Sequence, residues 1–434
     1  MTVFLYPYYC YFCRRKTNQT NKTISMKTKY LLLAFLFIHS GLYTSGLACT
    51  TAVVAAKNST NGKSMIWKLR DTDNIENAMR HFDDGKYTYL GLINANDLLG
   101  EHVWGGANSA GFAIMNSASY NVNVGDTTQL KDQEGVFMKL ALQTCATLED
   151  LEKLLETYPK PRGQASHYGV IDANGGAAYY EVNNWTWTKY DANDPEVAPN
   201  GYIIRTNYSE SGTKDEGYGF IRREAAEKVF AKALEHNKLN YRTVLQRFSR
   251  CTYHPVFGLN YREKFENGSN ESSFVASDDL ITRNSSASTI LVEGVKPGES
   301  PALTTVWIQV GYPNSTISLP MWVEGGKDIP TVLAYDAELK NSPLNAAALK
   351  WKSKSYPLTR SDGYHYLKLD ELINQYNTGF IQRMEPVEIE IFDKTDELHT
   401  KWGKEAPSKS DIKDLYDWLD NKVTSFYEDA KADL

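Results

Sequence analysis

The sequence predicts an α+β protein, in which strands and helices form separate blocks along the chain. Many strand-like runs come first, two helical blocks and further strand-like runs follow, and the chain ends in a helical tail. A parallel α/β fold would instead alternate strands with helices. No internal repeat or long low-complexity linker interrupts this order.

The first two strands are predicted on either side of a turn. Residues 49–59 (CTTAVVAAKNS) are rich in Thr, Val and Ala, which favour strands. Asn61-Gly62 is a strong hairpin signal, and 63–71 (KSMIWKLRD) predicts the returning strand. With the turn at 61–62, the numbers of cross-strand partners sum to about 123, which places Cys49 opposite residue 74 with Arg70 and Thr72 on its face.

The middle of the chain predicts two hairpins and two helices. Residues 102–121 alternate small with large apolar residues and predict strands around a tight turn near 108–111. Residues 134–146 show helical apolar spacing, and Thr147 with Asp150 resembles a capping box that starts a helix over 148–157. Residues 167–182 predict a hairpin around Asn174-Gly175.

The remaining segments continue the same pattern. The chain predicts strands at 202–208, 288–294 and 303–311, helices at 219–236 and 240–250, and a final acidic helix at 408–431. The weakest link between segments is near 327–345, where a smaller C-terminal region could begin.

Composition and charge exclude some classes of partner. Hydrophobic residues make up 42% of the chain and charged residues 23%, as in ordinary soluble proteins. The net charge of the whole chain is −6. Residues 1–48 contain six basic and no acidic residues and so carry +6, which leaves a net charge of −12 on residues 49–434. This balance argues against nucleic acid or an anionic membrane surface as a partner. No Cys, His or Asp cluster has metal-ligand spacing, and we expect no cofactor.

The N-terminal segment has the parts of a secretory leader. Residues 26–29 (MKTK) form a short positive region, 30–38 (YLLLAFLFI) an apolar run, and 46–48 (GLA) a small-x-small cleavage signal. The apolar run is too short to span a membrane. We therefore expect an exported protein, periplasmic or extracellular, with residues 1–48 as leader and Met26 as the true start. The alternative is a buried N-terminal apolar strand.

Cleavage after residue 48 would make Cys49 the first residue of the mature protein. It would remove Cys10 and Cys13 and leave Cys145 and Cys251 as the other thiols. Three cysteines in an exported chain of this size are not a disulfide framework. Cys49 could instead be a lipid anchor or an inert buried thiol. Against the anchor, Gly46 stands where an aliphatic residue is expected, and a strand follows Cys49 without a flexible spacer.

An N-terminal cysteine can supply two catalytic groups at once. Its thiol is a strong nucleophile near neutral pH, and its α-amino group, with a reference pKa of about 7.7–8.0, can act as the base. A nearby cation stabilises the thiolate, and a carboxylate can orient the amine. Arg70 and Asp73, brought close by the predicted hairpin, are the candidates for these roles.

Six segments, in order, resemble the choloylglycine hydrolase and penicillin V acylase family of N-terminal-nucleophile amide hydrolases. They are Cys49-Thr50, LRDTD (69–73), GGANSAGFAIMN (105–116), HYGVIDANGGAAYYE (167–181), IIRTN (203–207) and ITRNSSAS (281–288). Residues 303–320 are similar to the acyltransferase-like branch of these linear amide hydrolases. The resemblance covers about 49–325. Leu69 and Asp71 depart from the Gly and Asn that flank the family's arginine.

The resemblance implies a four-layer αββα sandwich with an added, partly helical C-terminal region. Carried over residue by residue, Cys49 is nucleophile and base, Arg70 supports the thiolate and Asp73 binds the α-amine. Asn207 donates to the oxyanion, Asn116 is the second donor, and Arg283 completes the polar site.

Several of these assignments have alternatives. Asp71 competes with Asp73 for the amine, and Asn108 competes with Asn116 for the second oxyanion position. Each polar residue could also have a structural role, as a surface strand residue or a turn residue. The remaining candidates for a Cys-His arrangement, scattered along the chain without geometry, are His102, His167 and His254.

These inferences define an expected organisation and function. We expect a leader (1–48), a hydrolase domain (49–327) and a C-terminal extension (328–434) packed on the same domain. The expected activity is hydrolysis of a linear, non-peptide amide with an apolar acyl group, such as a bile-salt amide, a penicillin V-like compound, an N-acyl amino acid or a lipid amide. Alternatives are an acyltransferase, a dipeptidase or a lipid-anchored, non-catalytic binding protein. The expected partner is a small-molecule amide, and a homo-oligomer is compatible with the sequence.

Overall fold

The structure, a computed structural model, describes residues 48–433. The predicted leader therefore lies outside the described residues, apart from Ala48. The strands of the described part are β1 (Thr50–Val54), β2 (Met65–Asp71), β3 (Asn77–Phe82), β4 (Tyr89–Asn94), β5 (Gly105–Asn108), β6 (Ala113–Ala118), β7 (Ser166–Ile171), β8 (Ala177–Val182), β9 (Trp187–Asp191), β10 (Tyr202–Arg205), β11 (Tyr253–His254), β12 (Leu259–Asn260), β13 (Phe274–Ala276), β14 (Ser286–Glu293), β15 (Thr305–Val310), β16 (Leu319–Met321) and β17 (Tyr366–Lys368).

The helices lie between and after these strands. They are α1 (Glu134–Thr144), α2 (Leu148–Thr157), α3 (Phe220–Glu235), α4 (Tyr241–Thr243), α5 (Tyr261–Glu266), α6 (Pro343–Ser355), α7 (Phe380–Trp402) and α8 (Lys409–Ala430). α4 continues as a π-helical turn, Val244–Phe248. The α+β prediction is confirmed, since the large sheets are antiparallel and helices are not interleaved strand by strand.

Two large antiparallel sheets form the centre of the described chain. A six-stranded sheet has the order β10-β1-β2-β14-β15-β16, and a seven-stranded sheet is a meander from β3 to β9. Their facing sides meet in one apolar core, which includes Val53 from β1 and Met115 from β6. On the seven-stranded sheet, α1 and α2 cover the opposite side through a second core. On the six-stranded sheet, α3 packs against β1 and β10.

The predicted register of the first two strands is wrong. The observed pairs, such as Thr50↔Leu69, sum to 119 rather than about 123. The connection is not a two-residue hairpin, because Ala56–Asn58 forms a 3₁₀ turn and the Ser59 hydroxyl bonds both the backbone N–H and the carbonyl of Lys63. The partner of Cys49 therefore moves from residue 74 to Arg70. The shift is even, so Arg70 keeps the predicted face.

Several other sequence predictions are confirmed. The hairpins at 102–121 and 167–182 are β5–β6 and β7–β8. The hydroxyl of Thr147 accepts a hydrogen bond from the Asp150 N–H at the start of α2, as the capping pattern predicts. The strand predicted at 49–59 is shorter, ending at Val54.

Residues after 328 contact the six-stranded sheet and its connections. Tyr427 of α8 donates its hydroxyl to the Ser315 carbonyl, and Glu388 of α7 forms a buried ion pair with Arg250. β17 pairs with β13 in a small separate sheet. Within the described residues, no helix is both long and apolar enough to cross a membrane.

Candidate active site

Cys49 lies where the chain enters β1 and is only 6% exposed. β1 is flanked by β2 on one side and β10 on the other. Continuing both observed registers to the end of the strand puts Arg70 beside Cys49 on one side and Asn207 on the other. Opposite residues of neighbouring strands project to the same face. Strand pairing on both sides of β1 thus brings three predicted site residues together.

Arg70 is a buried cation held by amide oxygens and an aromatic ring. Its two terminal nitrogens donate to Asn77 Oδ1 at 2.6 Å and Asn94 Oδ1 at 2.8 Å. The guanidinium carbon lies 4.8 Å from the centroid of the Trp104 ring. Burial lowers the pKa of Arg70 to about 10, and the nearby Cys49 acts in the opposite direction. Arg70 therefore remains charged at neutral pH and is placed to stabilise a Cys49 thiolate.

A second buried cation, Lys68, lies one strand repeat before Arg70 on the same face of β2. Its Nζ donates to the Trp104 carbonyl at 2.8 Å and to Asn116 Oδ1 at 2.7 Å. Asn116 Nδ2 in turn donates to Ser166 Oγ at 3.2 Å. Burial lowers the pKa of Lys68 to about 7, while Cys49 raises it. Lys68 links Asn116 to the neighbourhood of the thiol.

Arg222, near the start of α3, binds both Cys49 and Asn207. Its Nη1 donates to the Cys49 carbonyl at 2.7 Å and to Thr50 Oγ1 at 3.0 Å. Its Nη2 donates to Asn207 Oδ1 at 2.7 Å. Asn207 Nδ2 donates to the Ala118 carbonyl at 2.9 Å. Because Arg222 can only donate, it fixes the Asn207 amide with its oxygen toward the guanidinium.

The two candidate carboxylates have different surroundings. Asp71 is buried and Asp73 is exposed. Asp71 accepts from Arg283 Nε at 2.9 Å and from Ser286 Oγ at 2.6 Å. Burial lowers the pKa of Arg222 to about 10, and Arg283 acts in the same direction while Asp71 opposes it. Arg283 and Asp71 thus form an ion pair close enough to Arg222 to act on its charge, and the role of Asp73 at the α-amine stays a prediction.

Asn108 has a structural role in the β5–β6 turn. Its Nδ2 donates to the carbonyls of Leu142 and Cys145 at 2.9 and 2.8 Å. Its Oδ1 accepts from the N–H groups of Ala110 and Phe112. These bonds anchor the turn to the C-terminal end of α1. They favour Asn116 over Asn108 as a residue that acts at the thiol.

The histidines do not form a Cys-His arrangement with Cys49 in the described chain. His167 Nε2 lies 2.8 Å from Ser209 Oγ, and burial lowers the pKa of His167 to about 3, with Glu181 opposing. His102 faces Asp97, and the His254 ring packs in a tilted arrangement against an aromatic ring. Among residues 48–433, no cluster of three or more His, Cys, Asp or Glu residues could hold a metal ion.

Sequence reasoning missed Lys68, Arg222 and Tyr120. Lys68 precedes Arg70 by two residues on a predicted strand, so period-two alternation could have placed it on the same face. Arg222 lies in a predicted helix whose packing partner the sequence does not reveal. Tyr120 follows β6, and burial raises its pKa, with Cys49 adding to the effect. Its ring meets that of Tyr218 edge to face at 5.3 Å.

Comparison with known proteins gives one family match. Residues 60–267 match the model of the acyl-coenzyme A:6-aminopenicillanic acid acyl-transferase family. The match covers Arg70, Asn116, Asn207 and Arg222, and it begins after Cys49. No curated protein sequence matches the chain significantly.

Among solved structures, similar chains include three amide hydrolases. A Caenorhabditis elegans N-acylethanolamine-hydrolyzing acid amidase ortholog has 16% identity and a TM-score of 0.34, with 44% of this chain and 86% of that chain covered. Penicillin V acylase from Agrobacterium tumefaciens has 12% identity and a TM-score of 0.33, with 63% of this chain and 86% of that chain covered. A variant of the conjugated bile acid hydrolase from Clostridium perfringens has 11% identity and a TM-score of 0.35, with 63% of this chain and 92% of that chain covered. Likenesses this weak do not establish a shared fold.

The family match and the ordered motifs point the same way. The matched segment holds four of the six predicted motifs, in the order in which the sequence presents them. This chain is related to the N-terminal-nucleophile superfamily of amide hydrolases and acyltransferases.

Proposed function

We propose that this chain is an exported N-terminal-cysteine amidase with a four-layer αββα sandwich, in which removal of residues 1–48 frees the α-amine of Cys49. The observation that carries the proposal is the placement of Cys49 between Arg70 and Asn207, with Arg222 bonded to the Cys49 carbonyl and to Asn207. A buried thiol surrounded by cations is the environment that favours a thiolate nucleophile.

In the proposed reaction, the α-amine of Cys49 takes the thiol proton and the sulfur attacks the amide carbonyl. Asn207 and Asn116 donate to the oxyanion, and one such donor is worth about 2.7–4 kcal/mol of transition-state stabilisation in other enzymes. The α-ammonium then protonates the leaving nitrogen, and the C–N bond breaks to leave a thioester on Cys49. Water, deprotonated by the α-amine, attacks the thioester and releases the carboxylic acid and the thiol.

The surroundings of the site support a linear amide with an apolar acyl group. Tyr120 lies near Cys49, and its ring partner Tyr218 is 64% exposed. Phe220, two residues further on, is also exposed. Exposed aromatic side chains beside a polar centre favour binding of apolar groups.

The family match favours a second candidate, acyl transfer. The matched family is named for an acyltransferase. In that case an amine instead of water attacks the Cys49 thioester. Turnover of an N-acylated substrate with and without an added amine acceptor, analysed by mass spectrometry, separates the two activities.

The first test is the N-terminus of the mature protein. Intact mass with N-terminal fragmentation is expected to show a chain that begins at unmodified Cys49. A lipid-modified Cys49, or a chain that begins upstream, has no free α-amine and contradicts the mechanism.

The second test is substitution of the nucleophile. Cys49→Ala is expected to lower turnover by roughly 10⁴-fold or more while folding is retained, by analogy with removal of a covalent nucleophile elsewhere. Cys49→Ser is expected to slow turnover strongly. Cys145→Ala is the control, because that thiol is buried in the core around α1 and burial raises its pKa to about 11. Activity that survives in Cys49→Ala would rule out the proposed function.

A further inference from the structure

Lys68 is a charged residue in a position where a strand normally buries an apolar side chain. It is 1% exposed and lies between apolar neighbours on β2. Its side chain crosses the space between the two large sheets and donates to the Trp104 carbonyl and to Asn116 Oδ1. Burying an ammonium group is costly, so a site that keeps one there needs a reason.

The contact with Asn116 fixes the direction of an amide. An ammonium group can donate but cannot accept, so Asn116 must turn its oxygen toward Lys68. Both amide protons then point away from Lys68. One goes to Ser166 Oγ at 3.2 Å. The second proton is presented by a side chain whose orientation is set, as an oxyanion donor requires.

The charge of Lys68 also acts on the thiol. The charged groups around it are Cys49 at the start of β1, Arg70 on β2 and Glu134 on α1. Burial raises the pKa of Glu134 to about 7, and the Ala165 N–H lowers it. Near neutral pH, then, Arg70 and protonated Lys68 are the cations that favour the Cys49 thiolate.

We propose that Lys68 is a positioning residue of the active site, which orients Asn116 toward the oxyanion and, when protonated, promotes ionisation of Cys49. This inference rests on the proposed function. It adds a role for a residue outside the six motifs, and it predicts that the thiol and Lys68 titrate as a coupled pair.

The test is the pH profile of Cys49 alkylation by iodoacetamide, followed on the Cys49 peptide by mass spectrometry. The midpoint of the wild-type profile is the reference value. Lys68→Met is expected to move the midpoint up by about one pH unit or more, since removal of a nearby cation raises a thiol pKa. Lys68→Arg, which keeps the charge, is expected to give a midpoint at a lower pH than Lys68→Met.

Lys352→Met is the matched control. Lys352 is also buried, with a pKa lowered to about 8 by burial, but its charged neighbour is Asp71 rather than Cys49. The Cys49 profile is expected to stay unchanged in this variant. Lys68→Met and wild-type profiles that coincide would overturn the proposal, and Lys68→Gln takes the place of Lys68→Met in this comparison if that variant does not fold.

Turnover separates this inference from the proposed function. Lys68→Met and Asn116→Leu are each expected to lower kcat at least tenfold with little change in KM, and the double variant is expected to lose less than the product of the two. If Cys49→Ala is inactive and Lys68→Met keeps the wild-type kcat, the role of Lys68 is refuted and the amidase stands. If Cys49→Ala is active, the amidase mechanism is refuted whatever Lys68 does.

Discussion

Arg222 shows how one side chain can hold the proposed nucleophile and the proposed oxyanion donor in place together. Its three hydrogen bonds reach Cys49, Thr50 and Asn207. We predict that Arg222→Lys lowers kcat by about 100-fold, because a lysine cannot bridge both partners and displacement of catalytic groups by about 1 Å can cost this much. Steady-state kinetics on the folded variant measure the effect.

The control for Arg222 is its neighbour on the same helix. Arg223 contacts Tyr208 and pairs with Glu210 at the edge of the site. Arg223→Lys should keep kcat within about threefold, since partly exposed pairs contribute at most about 1 kcal/mol. Equal losses in the two variants would show that general disturbance of α3, rather than the bridge from Arg222, causes the effect.

Lys68 has a second consequence, for stability against pH. Burial lowers its folded-state pKa to about 7 from an ordinary value of 10.5. The unfolded chain therefore binds more protons than the folded chain between these two values, so this residue makes stability rise with pH there. We predict that, as pH rises from 7 to 10, the free energy of unfolding of wild type increases relative to that of Lys68→Met. Denaturant unfolding of both proteins across this range measures the difference. A difference that stays constant over this range would mean that Lys68 titrates normally in the folded protein.

The residues that sequence reasoning could find are those that belong to local, ordered motifs. Cys49 and Arg70 come together through one strand pair, and Asn207 follows the next strand of the same sheet. Lys68 and Arg222 could not be identified in this way, because a single basic residue in a strand or helix looks the same in sequence whether it is exposed or buried. Only packing of the second sheet and of α3 makes them part of the site.

At the scale of elements, the β5–β6 hairpin contains both a structural asparagine, Asn108, and the proposed site asparagine, Asn116. Asn108 makes four side-chain hydrogen bonds that hold the turn to α1. We predict that Asn108→Ala lowers the free energy of unfolding by about 2–4 kcal/mol, at roughly 1 kcal/mol for each bond lost. The kcat of the folded fraction should be unchanged.

Asn116→Ala provides the comparison within the same hairpin. Its expected loss is in kcat, by about 100-fold, if it donates to the oxyanion. Chemical denaturation of both variants gives the free energy of unfolding, and steady-state kinetics give kcat. The reverse result, with kcat lost in Asn108→Ala and kept in Asn116→Ala, would assign the oxyanion position to Asn108.

Elements with strong local signals were predictable, and those set by long-range packing were not. The Thr147 cap fixes the start of α2 through one short-range bond. The long helix α7 contains Pro386 within its first two turns, which weakens any helical prediction there. The turn at 61–62 misled the register because the Ser59 side chain closes the loop, a contact that hydrophobic pattern does not encode.

At the scale of the whole molecule, the C-terminal helices complete the six-stranded side of the core. Glu388 of α7 is fully buried and accepts hydrogen bonds from both terminal nitrogens of Arg250, at 2.8 and 2.7 Å. It also accepts hydrogen bonds from the N–H and the hydroxyl of Ser318, which precedes β16. A single carboxylate therefore joins α7, the segment after α4 and an edge of the sheet. Its removal should affect folding rather than catalysis.

We predict that Glu388→Gln lowers the free energy of unfolding by about 3–5 kcal/mol, because it leaves the Arg250 charge buried without its partner. The double variant Arg250→Met/Glu388→Leu should recover much of this loss.

Burial alone would raise the pKa of Glu388, but Arg250 and Ser318 outweigh it and hold the pKa below its ordinary value. The stability from this pair is therefore present above the unfolded pKa, about 4.3, and is lost as pH falls through the folded value. Denaturant unfolding of wild type and Glu388→Gln from pH 7 to pH 3 should show their difference shrinking toward acid. A difference independent of pH would mean that Glu388 has the same pKa in the folded and unfolded chains, so that its charge does not stabilise the fold.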